Sequence, residues 1–210
     1  MGLRIEVWSD IACPWCYLGK HRLETAIAGS PHADSTELAF RSFELDPTAP
    51  DQARPLLEHL AEKMGLGPER AEQMDARVRE MARAEGLPYT SQRVHARSFD
   101  LHRLVHLAGS HGVGSPLLTR LFRDLFGGTN VYDRTYLVDT AAEHGIPRER
   151  AGAVLDGDEF ADAVRRDIAA AHRLGVRGVP FAVLDGRFAI PGALSVEGYA
   201  RGIEQAWASR

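Results

Sequence analysis

The sequence predicts an α/β protein in which a run of helices interrupts a small sheet. Three observations support this class. Residues 3–45 show a strand pattern, a helical pattern and a second strand pattern in turn. Residues 54–174 carry successive helical patterns separated by glycine and proline, with no convincing strand. Residues 181–190 return to short apolar runs, and a last helical pattern follows them.

The first of these segments predicts a strand, a helix and a strand. Residues 3–8 alternate between apolar and polar side chains, which is typical of a short buried strand. From Pro14 the apolar positions recur at helical spacing, and the pattern ends near Gly29. Residues 36–45 alternate again until Asp46 and the proline after it stop the strand.

The middle of the chain predicts an all-helical insertion. Its glycine and proline pairs divide it into short amphipathic segments, each of ordinary helix length. The predicted helices span residues 54–64, 68–85, 98–111, 115–126, 134–144, 148–155 and 158–174. We therefore predict a helical insertion domain at residues 47–155 within a discontinuous sheet domain formed by residues 1–46 and 156–210.

The end of the chain predicts a tight hairpin and a closing helix. Asp185 and Gly186 separate two apolar runs, and an Asp-Gly pair favours a two-residue turn in which both central residues have positive φ. Pro191 then breaks the second strand. Ser195 is a suitable N-cap for the last helix, because its hydroxyl can accept a hydrogen bond from a free backbone N–H.

Composition excludes several classes of partner. The chain has 25 basic and 29 acidic residues and a net charge of −4, so we expect neither nucleic acid nor an anionic membrane to bind it. No run approaches the roughly 18 apolar residues of a membrane span. The first ten residues lack the apolar core of a secretory signal, which predicts a cytoplasmic location.

The only two cysteines, Cys13 and Cys16, lie in the segment C-P-W-C. If a helix begins at Pro14, Cys13 is its N-cap, where the positive end of the helix dipole favours a thiolate. Cys16 lies one turn further, on the apolar face, where burial favours a neutral thiol. This arrangement predicts that Cys13 attacks a disulfide and that Cys16 resolves the mixed disulfide.

Two other interpretations of the cysteine pair stay open. Zinc needs about four ligands, and His102 and His106, four residues apart on a predicted helix, could complete a Cys2His2 set. An inert structural disulfide is the other, although cytoplasmic cysteine pairs are more often catalytic or metal-binding. Otherwise His102 and His106 are expected at the solvent boundary of their helix or in a substrate groove. We predict no metal at the cysteine pair.

Val179 and Pro180 precede the predicted hairpin. Proline at the start of a strand indicates an edge strand, a bulge or a cis peptide bond. Together, C-P-W-C after a first strand, R-S-F-E-L-D-P at residues 41–47 and G-V-R-G-V-P-F-A-V-L-D-G-R-F-A-I-P-G-A at residues 175–193 resemble the DsbA-like branch of the thioredoxin superfamily. More narrowly, they resemble the FrnE-like group.

This resemblance implies a thioredoxin-like fold split by the helical insertion. It implies that Cys13 is the nucleophile, that Cys16 is the resolving thiol, and that Pro180 is cis beside them. Val179 would then offer backbone groups to the substrate. We add the hypothesis that Pro14 and Trp15, between the cysteines, contact the substrate, with Trp15 as an exposed apolar surface.

The predicted function is dithiol–disulfide exchange with a protein or small-molecule substrate. The redox-active Cys13–Cys16 disulfide carries the electrons, so no cofactor is expected. Glutathione or a thioredoxin-type protein is the expected electron partner, and the protein is expected to be a monomer or homodimer. The alternative is a glutathione-dependent transferase or an enzyme similar to 2-hydroxychromene-2-carboxylate isomerase. That branch usually has serine at the first cysteine position, and the sequence has Cys13 there.

Overall fold

The computed structural model describes residues 2–65 and 67–210. It divides into two compact units. The first comprises the chain up to Leu45 together with Arg165–Arg210, and the second comprises Asp46–Val164. The domain limits predicted from the sequence, 46/47 and 155/156, stay predictions, because a compact unit need not coincide with a domain. Among the described residues, no helix combines the length and the apolar character required to span a membrane.

The described residues form six strands and nine helices besides a short 3-10 turn. The strands are β1 (Leu3–Ser9), β2 (Thr36–Ser42), β3 (Arg54–Pro55), β4 (Val94–His95), β5 (Phe181–Leu184) and β6 (Phe188–Pro191). The helices are α1 (Pro14–Ala28), α2 (Leu56–Met64), α3 (Pro68–Ala84), α4 (Phe99–Ser110), α5 (Gly114–Gly127), α6 (Arg134–Glu143), α7 (Arg148–Asp156), α8 (Ala161–Arg173) and α9 (Val196–Ala208).

The sheet of the first unit has the strand order β2-β1-β5-β6. The central strand β1 runs parallel to β2 and antiparallel to β5. Leu3, Ile5 and Val7 of β1 are buried in a core that also contains Leu23 of α1 and Ile203 of α9. The alternation in the sequence therefore places one side of the central strand in the core.

The predicted hairpin is confirmed. β5 pairs antiparallel with β6, and Asp185 and Gly186 between them have φ values of 51° and 67°. Both values lie in the left-handed region that a two-residue turn of this type requires. Ser195 caps α9 as predicted, because its Oγ accepts a hydrogen bond from the backbone N–H of Gly198 at 3.2 Å.

The second strand ends earlier than the sequence pattern predicts, at Ser42 instead of Leu45. Beyond Ser42 the chain is held by contacts with the last residue of β1 and the residue that follows it. The N–H of Phe43 donates to the carbonyl of Ser9 at 3.1 Å, and the N–H of Leu45 donates to the carboxylate of Asp10 at 2.7 Å. The apolar pattern therefore continues past the end of the strand.

The expectation of an insertion without strands is wrong. In the second unit β3 pairs antiparallel with β4, placing Arg54 opposite His95 and Pro55 opposite Val94. Strands of two residues cannot show the two-residue period on which sequence analysis depends. The sequence context of Arg54 and Pro55 predicts the start of a helix, whereas α2 begins at Leu56. This small ladder holds β4 beside the start of α2.

His102 also differs from its predicted place at the solvent boundary of a helix. It lies on α4 with only 4% of its surface exposed. His106, one turn further, is half-buried and stacks on Phe160 with ring centroids 6.4 Å apart. Both residues belong to the second unit. The buried face of α4 is therefore wider than the stripe formed by its apolar residues, because it also includes His102.

Candidate active site

Cys13 lies at the junction between β1 and α1. It has extended backbone angles and is the N-cap of α1, and Pro14 occupies the first helical turn. Its carbonyl accepts hydrogen bonds from the N–H groups of Cys16 at 3.1 Å and Tyr17 at 3.2 Å. Its side chain forms no capping hydrogen bond with the backbone of α1, so no such bond has to break before the sulfur reacts. The remaining free N–H groups of the first turn favour negative charge there.

Asp10 fixes the loop that leads to Cys13. Its backbone carbonyl accepts from the N–H of Cys13 at 3.0 Å, and its carboxylate accepts from the N–H groups of Ala12 at 3.1 Å and Leu45 at 2.7 Å. Only 1% of Asp10 is exposed. Sequence analysis did not identify it as a site residue, although an aspartate just before a helix start is a common turn signal.

Cys16 is fully buried beneath this loop and faces the first cysteine. The N–H of Asp10 lies 3.5 Å from the Cys16 Sγ. Burial, followed by the hydrogen bond with Cys13 and its charge, raises the pKa of Cys16 well above the ordinary 9.0 of a thiol. Both cysteines are reduced. Cys16 therefore holds its proton at neutral pH, in the form that sequence analysis expects of a resolving thiol.

Val179 and Pro180 lie beside Cys13. The Cys13 thiol donates to the carbonyl of Val179 with a sulfur–oxygen distance of 3.7 Å, and both residues are buried. The Val179–Pro180 peptide bond, which the resemblance implies to be cis, is cis. The register explains the proximity, because Phe181 of β5 pairs with Trp8 near the end of β1. Both segments that flank the sulfur thus leave the same end of the sheet.

The chain matches the DSBA-like thioredoxin domain family over residues 4–204. It belongs to this family. A probable DsbA oxidoreductase from Streptomyces coelicolor is 42% identical, with a TM-score of 0.93 over 99% of this chain and 91% of that one. The thioredoxin fold with a helical insertion, expected from the sequence, is thereby confirmed, while the narrower FrnE-like assignment stays a prediction.

Two other proteins are similar to this DSBA-like chain. An uncharacterized protein, YwbO from Bacillus subtilis, is 26% identical over 207 residues, which cover 97% of this chain and 96% of the relative. The cytosolic disulfide reductase DsbM from Pseudomonas aeruginosa is 18% identical, with a TM-score of 0.64 over 99% of this chain and 100% of that one. At that identity the second similarity shows the fold alone.

Gly19 is a residue of this DSBA-like site that sequence analysis missed. It lies on α1 one turn after Cys16, and a Cβ added to it would lie 2.8 Å from Cγ of Pro180. The same Cβ would lie 3.3 Å from the hydroxyl of Tyr199, which donates to the carbonyl of Gly192 at 3.2 Å. Glycine inside a helix was the available signal, since it costs about 1 kcal/mol relative to alanine unless close packing requires it.

Sequence analysis also did not identify Lys20 as a residue near the active site. It follows Gly19 on α1 with 4% of its surface exposed, and its Nζ lies 2.5 Å from the carboxylate of Glu24 and 5.2 Å from the ring centroid of Phe40. Burial lowers the pKa of Lys20, and the charge and hydrogen bond of Glu24 oppose this effect. Lysine in a helix normally indicates a solvated position, so no sequence pattern indicates this buried pair.

A groove in the first unit passes the active-site loop. Its lining includes Trp15, Val179, Pro180, Phe181 and Gly192. Trp15 is 37% exposed, so the expectation that it faces solvent is met. The groove therefore places an apolar ring and an extended backbone segment on one surface. Pro14 is half-buried between the two cysteines.

The elevated pKa of Cys16 predicts a loss of stability at alkaline pH. The unfolded thiol ionises near 9.0, whereas the folded thiol keeps its proton to higher pH. The stabilisation is complete below pH 9.0 and is lost as the pH rises toward the folded pKa. We expect the free energy of unfolding of the reduced protein to fall by up to about 1.4 kcal/mol per pH unit from this group.

Urea unfolding in the presence of a reductant, from about pH 8 to about pH 10, measures this effect against Cys16→Ala. The stability difference between the two proteins should shrink above pH 9.0. Lys20, whose pKa is lowered, titrates in both proteins and cancels in the comparison. Tyr199, whose pKa burial raises to about 12, contributes a pH dependence only above this range. A difference that stays constant with pH contradicts the prediction.

Proposed function

We propose that this DSBA-like protein catalyses thiol–disulfide exchange, with Cys13 as nucleophile and Cys16 as resolving thiol. The proposal is carried by one arrangement: the Cys13 sulfur lies at the start of a helix, 3.7 Å from the Val179 carbonyl, with the protonated Cys16 buried behind it. The helix N-terminus stabilises the Cys13 thiolate, and burial keeps the Cys16 thiol protonated until the resolving step.

Reduction of a substrate takes two displacements. The Cys13 thiolate attacks one sulfur of the substrate disulfide, the S–S bond breaks, and the second substrate sulfur leaves as a thiolate and takes a proton. Cys16 then gives up its proton and attacks the Cys13 sulfur, which releases the first substrate sulfur as a thiol. The substrate gains two electrons, and Cys13 and Cys16 form a disulfide. Oxidation follows the same steps in reverse.

The groove supports recognition of an extended thiol or disulfide substrate. Val179 and Pro180 lie immediately before β5 and beside the sulfur, and Trp15 supplies an apolar surface in the same groove. We propose that the substrate backbone pairs with Val179 in the manner of an added strand while its apolar side chains contact Trp15 and Pro14. Because this arrangement recognises mainly the backbone of the substrate, it should accept substrates of many different sequences.

The proposal includes the partners expected from the sequence. The dithiol carries the electrons, so the exchange itself needs no organic cofactor or metal. Glutathione or a thioredoxin-type protein would restore the dithiol; DsbM of Pseudomonas aeruginosa, which has the same fold, has also been solved with GSH. Because DsbM is described as cytosolic, it supports the proposed cytoplasmic location. A monomer or homodimer fits this scheme.

Cys16→Ser tests the proposed order of steps. Without the resolving thiol, Cys13 should remain joined to the substrate, and a mixed disulfide should accumulate. Incubation with an excess of a disulfide-containing peptide followed by mass spectrometry under non-reducing conditions should show one peptide per chain, removed by reductant. The matched control, Cys13→Ser with Cys16→Ser, should show none. An adduct on Cys16 in a Cys13→Ser protein, formed as readily as on Cys13, would refute the assignment.

A further inference from the structure

The second unit contains a cluster of metal-ligating side chains that the proposed exchange does not use. Asp46, His59 and His95 each offer one ligand atom, and these atoms lie within 4.8 Å of one another. Nε2 of His59 lies 2.9 Å and Nε2 of His95 lies 3.8 Å from the same carboxylate oxygen, Oδ2 of Asp46. Neither cysteine belongs to the cluster.

Three separate pieces of the chain build this cluster. Asp46 begins the second unit, His59 lies on the first turns of α2, and His95 lies on β4 opposite Arg54 of β3. The N–H of Leu56 donates to the carbonyl of Arg93 at 2.9 Å, which ties the start of α2 to the residue before β4. The ladder and the helix thus hold the two imidazoles side by side, with ring centroids 4.4 Å apart.

The cluster is largely withdrawn from water. The side chains of His59 and His95 are each 11% exposed, and that of Asp46 is 10% exposed. A buried carboxylate facing two imidazoles needs positive charge near it. Lys63 supplies that charge now, because its Nζ lies 2.5 Å from Oδ2 of Asp46. The Lys63 side chain is 45% exposed, so it can turn into solvent without unfolding the site.

Donors already contact both oxygens of the Asp46 carboxylate. The Lys63 ammonium and the His59 ring lie against Oδ2. Thr48 donates to Oδ1 at 2.9 Å, which leaves Oδ2 as the oxygen that faces the imidazoles. One charged oxygen and two ring nitrogens therefore converge on a single point.

We propose that Asp46, His59 and His95 bind a divalent transition-metal cation, which takes the place of the Lys63 ammonium. Zinc bound tetrahedrally at about 2.0–2.1 Å from N and O ligands requires ligand atoms roughly 3.4 Å apart. The observed 2.9 and 3.8 Å from Asp46 to the two imidazoles bracket this separation, and no pair of ligand atoms in the cluster is more than 4.8 Å apart, so side-chain shifts can complete the site. The two imidazole ligands suit zinc, copper, iron and nickel, whereas magnesium and calcium prefer sites built from oxygen ligands alone.

Binding of the metal cation changes the position of a proton and the contacts among its ligands. His59 must present the lone pair of Nε2 to the cation, which requires the ring proton on Nδ1, and its contact with Asp46 is replaced by one bond from each residue to the metal. Three protein ligands leave a fourth position for water, as in zinc sites that remain open to an added ligand. No covalent bond between heavy atoms of the protein breaks, and the Cys13–Cys16 chemistry is not involved.

Calorimetric titration with Zn²⁺ tests the site. The protein carries Cys13→Ser and Cys16→Ser, because thiols also bind zinc, and it is first stripped with a chelator. We expect one zinc per chain, and we expect His59→Gln or His95→Gln to weaken its binding at least about tenfold. The matched control is His111→Gln, at the exposed end of α4, which should bind zinc unchanged. Unchanged binding in both variants of the cluster overturns the site.

The same zinc titration on Lys63→Gln is a second test, and this substitution removes none of the proposed metal ligands. Loss of the competing ammonium should tighten zinc binding, since the cation no longer has to displace a positive charge. This variant decides the matter if a histidine variant unfolds, which circular dichroism would reveal. Equal or weaker zinc binding by Lys63→Gln contradicts the proposal. Because both cysteines are absent from these proteins, the outcome does not depend on the proposed exchange activity.

Discussion

Cys13→Ser should lower the rate of disulfide exchange by at least roughly 10³-fold, the scale at which enzymes lose activity with their nucleophile. A serine hydroxyl stays protonated at neutral pH even at a helix start, and oxygen cannot form the mixed disulfide on which both steps depend. The change is nearly isosteric at a position that is 3% exposed, so the fold should be retained. The loss should therefore appear in turnover and not in thermal stability.

Reduction of a fluorescent peptide disulfide, with glutathione or dithiothreitol as electron source, measures this loss. Cys16→Ser is the informative comparison, because it keeps the nucleophile and should still complete a first displacement. Titration of free thiols should fall from two to zero when the unmutated protein is mildly oxidised, and Cys13→Ser should keep its one thiol. A Cys13→Ser protein that still acts on a small substrate with glutathione would favour the transferase or isomerase alternative.

Much of the active site could be predicted from local sequence. The helix start, the proline after Cys13 and the apolar position of Cys16 are properties of four consecutive residues, and the structure has each as expected. The hairpin could be predicted because the Asp185-Gly186 pair has few alternative conformations. Where a few neighbouring residues determine the conformation, the sequence pattern is sufficient.

Features that depend on distant contacts could not be predicted in this way. His59 and His95 meet only because β3 and β4 pair, and strands of two residues have no periodic pattern. The ammonium of buried Lys20 lies against the Phe40 ring and the Glu24 carboxylate, and the contact with Phe40 is one that a helical wheel does not show. Gly19 falls on the apolar face in the sequence, but only the position of Pro180 explains why it lacks a side chain.

After Cys13→Ser, Gly19→Ala should have the next largest effect. It should lower the stability of the protein and slow disulfide exchange. Its new Cβ would lie 2.8 Å from Cγ of Pro180, closer than side-chain carbons pack, and the proline ring cannot rotate away. Overpacking of this kind costs about 1–3 kcal/mol, which offsets or exceeds the roughly 1 kcal/mol that alanine contributes to a helix. Relief requires α1 and Pro180 to separate, and α1 contains Cys16 and begins directly after Cys13.

Gly109→Ala is the matched control for Gly19→Ala. Gly109 lies in a helix too, on α4, and an added Cβ there meets nothing within 4 Å. Chemical unfolding should show Gly109→Ala equal to or more stable than the unmutated protein and Gly19→Ala less stable. Exchange should slow in Gly19→Ala alone, because displacement of Pro180 moves Val179 away from the Cys13 sulfur. If both variants gain stability equally, Gly19 does not set the spacing between α1 and Pro180.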